Sequence, residues 1–451
     1  MAAIATTLPA PAGGSRLQWV LKLFADVDAG EAWGAVLLAA DVFCLLASYY
    51  LLKTARESLI LSEHSAEVKS YAAGAQALIL VAAVPLYGTV ASRVNRGALI
   101  NGVLLFFIAH LVVFYALASH GVHVGIAFFL WVGVFNLMIV AQFWALANDV
   151  YTVERGRRLF PLVGVGGSLG ALAGARLAKD VMAAHWKASD LLLLATIGLA
   201  ICMLLNHLVS RRFQLDDRRL GTAASERPLG TDGGLRLICA DRYLRLIALM
   251  VVIVNIVNTT GEFLLGRLVV ADATHAIASG AAGSFTKSQL IGMFYGDFFA
   301  WVNLVSLLIQ FFAVPRVFRL MGVAGALFVL PLIALGGYGL FACLPMLAAV
   351  RVGKILENST DYSLHNTARH ALFLPTSREA KFKAMQAVDA LCWRTGDVLQ
   401  AAVVFIGTRF AMGLRGFAVL NEVFVIVWLV LVSRIHGEHL ALVGSESAPV
   451  N

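Results

Sequence analysis

Charge is scarce in this chain. Asp, Glu, Lys and Arg make up 14% of its 451 residues, against about a quarter in an ordinary soluble domain. Apolar residues make up 60%, and the mean hydropathy is +0.81. No globular interior of this length hides that much apolar surface, so a soluble protein is excluded. Paired cysteines are lacking too. Cys44, Cys202, Cys239, Cys343 and Cys392 show no disulfide or metal-ligand spacing, and they read as small buried hydrophobes. There is no Gly-x-Ser-x-Gly, no zinc spacing and no His/carboxylate cluster, so an enzyme has no motif behind it. No cofactor is expected. No basic start with a cleavage site opens the sequence, so a cleaved signal is not expected. The net charge of +8 is not a nucleic-acid footprint. The basic residues fall in loops between apolar runs, where they fix orientation.

What is present is a series of apolar runs, each long enough to cross a hydrocarbon core of about 30 Å. Spans are expected near 32–55, 69–92, 97–118, 123–148, 160–183, 189–210, 243–268, 287–314, 322–342, 344–366, 383–408 and 414–433. The fold class is therefore all-α. It is a polytopic membrane protein with about twelve transmembrane helices in two six-helix halves, 32–210 and 241–434. A hydrophilic linker, 211–240, joins the halves, and a leader, 1–31, and a tail, 435–451, flank them. Within the leader, residues 17–27 have the spacing of an interfacial amphipathic helix. With the N-terminus in the cytoplasm, about twenty Lys and Arg fall inside and about eight outside, which predicts cytoplasmic termini in a bacterial inner membrane. A short echo supports two parallel halves: AVP at 83–85 then GAL at 97–99, and AVP at 313–315 then GAL at 325–327. Halves so related are the arrangement of major facilitator transporters.

Charge at lipid depth marks the candidate site. Arg351, Lys354, Glu357 and Asp361 are spaced by three, three and four residues, which puts them on one helical face. Each would cost about 2.5–3.5 kcal/mol or more against lipid, so the face is expected to wall a polar pathway. The alternative is a set of intrahelical ion pairs that pins the helix to its neighbours. Lys53 and Arg56, beside Tyr49 and Glu57, form a second cluster; snorkelling to the outer interface is their alternative. In the fourth span, Trp144 offers stacking and Asn148 a polar contact. Arg155 and Arg158 belong to a cytoplasmic knot expected to latch the halves. Glu262 and Asp297 are lone intramembrane acids, each a candidate coupling site or a satisfied structural carboxylate. Gln386, Asp389, Trp393, Asp397 and Gln400 share a face bordered by Arg394, a second expected wall. Summed over lipid depth the charge is near neutral or slightly negative, which does not announce a polyanion. Gly166, Gly170 and Gly174 recur every fourth residue, as close helix packing requires. They do not form a P-loop, since no Gly-Lys-Ser/Thr follows.

Three segments carry a resemblance. FWALANDVYTVERGRRLFPLVGVGGSLGALAGA (143–175), ENSTDYSLHNTARHALFLPTSREAKFKAMQAVDALCWRTGD (357–397) and ARESLIL with SAEVK (55–69) resemble the ATP/ADP translocase family. These are the nucleotide exchangers of intracellular bacteria and plastids. The likeness runs from about residue 50 to 405. It implies a divergent bacterial member with a twelve-helix major facilitator-like fold that swaps one nucleotide for another. The departures fall at charges the family relies on. Its Lys-Asp pair reads Arg56-Glu57, its seventh-span Glu aligns with Asn258, the Lys four residues on is Glu262, and its Lys-Glu reads Arg369-His370.

The expected function is a secondary transporter working by alternating access, exchanging nucleotides or related organic phosphates. Substrate is expected at Lys53, Arg56, Trp144, Asn148, Arg351, Lys354, Trp393 and Arg394. Coupling or gating is expected at Glu262, Asp297, Glu357, Asp361, Asp389, Asp397, Arg155 and Arg158. Its partners would be the lipid bilayer and a small-molecule substrate, with no nucleic acid, and it would work as a monomer. The alternatives are a proton-coupled carrier of another solute and a non-transporting scaffold or sensor acting through residues 211–240.

Overall fold

The computed structural model describes residues 32–91, 96–150, 153–214 and 234–446. The expected leader helix at 17–27 and most of the linker lie outside them. Among the described residues there is no strand. The first half runs α1 (Ala32–Glu63), α2 (Ala66–Ala91), α3 (Arg96–Ser119), α4 (Gly125–Val150), α5 (Val153–Ala183) and α6 (Asp190–Gln214). A short α7 (Gly234–Ala240) precedes α8 (Arg242–Ala278), α9 (Lys287–Leu308), α10 (Val314–Ala326) and α11 (Val329–Cys343). Then come α12 (Leu347–Thr360), α13 (Asn366–Ala371), α14 (Met385–Ala387), α15 (Trp393–Arg409) and α16 (Leu414–Glu446). Four π-helical stretches interrupt this half: Ile309–Ala313, Asp361–His365, Ala380–Ala384 and Val388–Cys392.

Local chemistry starts and stops these helices. Asp241 caps α8, its carboxylate accepting from the Leu244 amide at 3.0 Å. Thr286 and Gln289 form a capping box on α9, satisfying two amides that a helix start leaves bare. Gly322, at φ 70° and ψ 178°, breaks the path between α9 and α11. That backbone suits glycine, which has no Cβ to clash. The break falls where the ninth span is expected to begin.

Eight helices among the described residues are long and apolar enough to cross a membrane. The expected span near 69–92 is α2, 26 residues long; the expected spans near 322–342, 344–366 and 383–408 are helical, but the helices there are shorter or more polar. Val329–Cys343 has 15 residues, and the paths through α12 and α15 are charged and broken by π-turns. The interior falls into two apolar clusters. One is drawn wholly from residues 35–209; the other is mostly from 238–435, with additions from α1, α2, α4 and α5. Of the cysteines, Cys202 is buried, while Cys239 and Cys343 are exposed. The expectation of buried cysteines is corrected at those two positions, because neither faces either cluster.

The glycine stripe does what its spacing predicts. It lies against α1, where a Cβ at Gly166, Gly170 or Gly174 would sit 2.6, 2.2 or 2.2 Å from the carbonyl oxygens of Ala39, Phe43 and Ala47. Those are backbone atoms, so no rotamer change relieves the clash. Gly170→Leu is expected to cost about 3 kcal/mol or more. The check is the thermal unfolding midpoint of the purified protein in detergent, which should fall by several degrees.

Candidate functional site

A cavity of about 310 Å³ lies between the two halves, lined from α1, α2, α4, α8, α9, α12 and α15. On α1, Lys53, Arg56 and Glu57 are three and four residues apart and so share its inner face. Lys53 lies over three rings, with its ammonium 4.3 Å from the centre of Phe299, 5.2 Å from Tyr50 and 5.7 Å from Tyr362. It has no carboxylate within 4 Å among the described residues. Arg56 stacks 4.6 Å from the Phe129 ring and pairs with Glu57 at 2.5 Å. Lys69 of α2 reaches the other oxygen of Glu57 at 2.6 Å. On α15, Arg394 pairs with Asp397 at 3.3 Å, and Asn255 of α8 donates to the same carboxylate at 2.8 Å. Trp393 and Gln400 complete that wall.

The lining carries four cations, Lys53, Arg56, Lys69 and Arg394, against three carboxylates, Glu57, Glu262 and Asp397. The chamber is therefore net positive, unlike the near-neutral sum over lipid depth. Two facts change the balance. Lys69, to which sequence reasoning gave no role at the edge of the second expected span, lies in the first turn of α2 with its head turned inward. Asp41, Asp297, Glu357, Asp361 and Asp389 do not line the chamber. The signal for Lys69 was its nearness in sequence to Glu57. Phe299, Phe129 and Tyr362 were also missed, because an apolar span gives no sign of which aromatics face a cavity.

The expected wall of Arg351, Lys354, Glu357 and Asp361 is corrected: these residues divide between two surroundings and do not line the chamber. Arg351 turns to Asp297 of α9, which also receives Lys179 of α5. Asp297 is thus held by cations from both halves rather than standing alone. Lys354, 2% exposed, lies one layer behind the chamber, 3.1 Å from Glu357 and 3.9 Å from Glu262. Its ammonium donates to Asn258 Oδ1 at 2.7 Å. The Tyr338 hydroxyl donates to Glu357 at 2.9 Å, and Asn358 donates to Glu262 at 2.8 Å. Gly261 lets this layer close: a Cβ there would meet the Tyr338 hydroxyl at 2.0 Å and Lys354 Nζ at 3.0 Å. Asp361 is buried at the head of a π-turn. Glu262 belongs to both layers, since it also lines the chamber.

The second expected wall is split as well. Trp393, Asp397 and Gln400 face the chamber. Gln386 and Asp389 face another, mostly apolar cavity, which shares Arg394 with the chamber, and Asp389 pairs with Arg369. The π-turn at Val388–Cys392 lies between the two groups. An extra residue in a turn rotates everything beyond it by about 100°. Trp144, 39% exposed, lines a third cavity with Tyr49, Tyr50, Asn303 and Ser306. Tyr362 is common to that cavity and the chamber. Trp144 is therefore not beside Lys53. Arg155 is half-buried on α5; the side chains of Asn148 and Arg158 lie outside the described residues. Among the described residues, no three His, Cys, Asp or Glu gather at metal-binding distance.

Comparison with known proteins places this geometry in context. Residues 126–439 match the family model described as TLC ATP/ADP transporter. ADP,ATP carrier protein 1 of Chlamydia pneumoniae is 24% identical over 353 residues, which cover 68% of this chain and 65% of that protein. The chloroplastic ADP,ATP carrier protein 1 of Arabidopsis thaliana is 24% identical over 348 residues, covering 69% and 53%. The chain thus matches less than two thirds of the length of these relatives. Among solved structures, a POT family transporter in complex with 5-aminolevulinic acid superposes with a TM-score of 0.63 at 14% identity, covering 90% of this chain and 96% of that one. The nucleoside transporter NupG superposes with 0.56 at 12% identity, covering 92% and 99%. At these identities the likeness concerns the fold alone.

Proposed function

The chain belongs to the TLC ATP/ADP transporter family, and from that premise we propose that it is a secondary transporter exchanging nucleotides or related organic phosphates across a membrane. The observation that carries this reading is the net positive chamber, in which Lys53 has aromatic neighbours but no carboxylate within 4 Å among the described residues. A phosphate oxygen arriving there gains a cation without breaking an existing ion pair. Arg56 and Lys69 are adjacent and already share one carboxylate, so they extend the grip over a chain of phosphates. Trp393 offers the base a flat surface in the same chamber. Trp144 would meet substrate from the neighbouring cavity, on its way in or out.

Transport needs the chamber to open to either side in turn. The halves 32–210 and 241–434 would rock about it, in a bacterial inner membrane, with cytoplasmic termini and the monomer as the working unit. The ion pairs that join the halves are the gating candidates. Lys179 to Asp297 links α5 to α9, and Arg267 to Glu67 links α8 to α2 at 3.4 Å. Arg351 shares Asp297 with Lys179 and would hold or release that latch. The small-molecule substrate is the expected partner.

The test is uptake of labelled ATP or ADP into liposomes holding the purified protein. Uptake should require nucleotide on the inner side, as exchange demands. No uptake across a panel of nucleotides and organic phosphates, with counter-substrate loaded, would overturn the reading.

A further inference from the structure

The chamber has a neighbour of a different character. The cavity that holds Trp144 measures about 340 Å³, and among the described residues no charged side chain lines it. Seven line the chamber. Rings take the place of charge: Tyr49 and Tyr50 of α1, Trp144 of α4, and Tyr362 just past α12. The two spaces meet at Lys53. Of the three rings around its ammonium, Tyr50 and Tyr362 also line the ringed cavity. Each space alone is at the lower end of the sizes that hold small molecules. Joined at Lys53 they suit a longer one, charged at one end and flat at the other.

Trp144 is placed to receive a ring. It is 39% exposed. Its ring neighbours Phe143 and Phe160 meet it at 72° and 85°, so neither stacks on it. Trp393, in the chamber, already has the Arg369 guanidinium 5.9 Å from its ring. Gly164 of α5 lines the cavity with Trp144, and a Cβ there would meet nothing within 4 Å. It thus differs from Gly166, Gly170 and Gly174: no neighbouring helix presses on it, and its missing side chain leaves room. Ser168 donates to the Gly164 carbonyl at 3.1 Å, and the Asn303 amide donates to the Phe299 carbonyl at 2.8 Å. Both keep a side-chain oxygen with acceptor capacity, as the N–H groups of a base require. A phosphate would lose its water here with no cation to replace it, so the end of a substrate that enters is the uncharged one.

Resting on the reading that the chamber grips phosphate, we infer that this cavity is a nucleobase subsite: a nucleotide entering or leaving keeps its phosphates at Lys53 while its base lies against Trp144, in the room left at Gly164. The reach fits. Leu46 lines the cavity seven residues before Lys53, about 10 Å along the axis of α1 at 1.5 Å per residue. A nucleoside on a phosphate chain covers that length, and inorganic pyrophosphate does not. The substrate class narrows from organic phosphates in general to nucleotides.

The experiment is calorimetric titration of the purified full-length wild type, Gly164→Leu and Trp144→Ala with ADP and with inorganic pyrophosphate, which carries the phosphates alone. Stacking of a base on an aromatic ring contributes about ten- to a hundredfold in affinity, and the wild type is expected to prefer ADP to pyrophosphate by that factor. Gly164→Leu puts a side chain into the open cavity. It is expected to weaken ADP binding about tenfold or more, with pyrophosphate binding and the thermal unfolding midpoint unchanged. Trp144→Ala is expected to show the same split between the two ligands. ADP binding unchanged in either folded variant overturns this inference and leaves the nucleotide reading intact. Equal loss of both ligands does the same, since the cavity would then serve the phosphates. No ADP binding by the wild type overturns both. Should Gly164→Leu not fold, Trp144→Ala decides alone. Should pyrophosphate bind too weakly to compare, Trp393→Ala decides: a smaller loss of ADP binding there than in Trp144→Ala supports the assignment, and an equal or larger one puts the base in the chamber and overturns it.

Discussion

Replacing Lys53 by Gln is expected to weaken ADP binding by about ten- to a hundredfold while leaving the fold intact. A charge-assisted contact contributes about 1.5–3 kcal/mol, and each 1.4 kcal/mol is about a factor of ten. The full effect is expected here because Lys53 gives up no ion pair when it is replaced. Its neighbours are the rings of Phe299, Tyr50 and Tyr362, which tolerate a neutral amide of similar length. The same change at Arg394 should cost less, because its charge is partly spent on Asp397 at 3.3 Å. Direct titration of both variants with ADP reads the difference. Equal losses at the two positions would mean that Lys53 is not the open grip, and unchanged binding in Lys53→Gln would place the phosphates elsewhere.

The second large effect concerns stability. Lys354 is 2% exposed, and its nearest counter-ion is Glu357 at 3.1 Å. Glu357→Ala would leave a buried ammonium with only the more distant Glu262 as counter-ion, and the Tyr338 hydroxyl with only the Val257 carbonyl, at 3.3 Å. Removing one partner of such a pair costs about 3–5 kcal/mol. The double variant Lys354→Met with Glu357→Leu removes both charges and keeps the volume, so it is expected to recover most of that loss. Thermal unfolding of the two variants in the same detergent tests this. If the single and double variants unfold together, the pair does not hold the layer behind the chamber.

Part of the site was legible in the sequence, and the division has physical causes. Lys53, Arg56, Trp393 and Arg394 were named from charge or ring chemistry in spans that lipid would penalise, and all four line the chamber. The same logic grouped Arg351 with Lys354 and Asp389 with Asp397, and there it failed. Helical spacing assumes one unbroken register. The π-turn at Val388–Cys392 breaks that register between Asp389 and Asp397, so residues that share a face on an ideal helix do not share one here. Arg351 and Lys354 do share a face of α12, but different neighbours meet it along its length, Asp297 at one and Glu262 at the other.

Composition and patterning by themselves determined that the chain is helical and built to span a membrane, and they predicted two comparable halves. Scarce charge and repeated apolar runs leave a bilayer chain few other ways to satisfy its backbone. The glycine spacing likewise predicted a close helix contact, although not that α1 would be the partner. Only the tertiary structure decided which ions meet. The spare charge on Lys53, the sharing of Lys354 between two carboxylates and the turning of Lys69 toward Glu57 all depend on side chains from helices distant in sequence. Ion pairing is decided within about 4 Å, and one-dimensional spacing does not measure that distance.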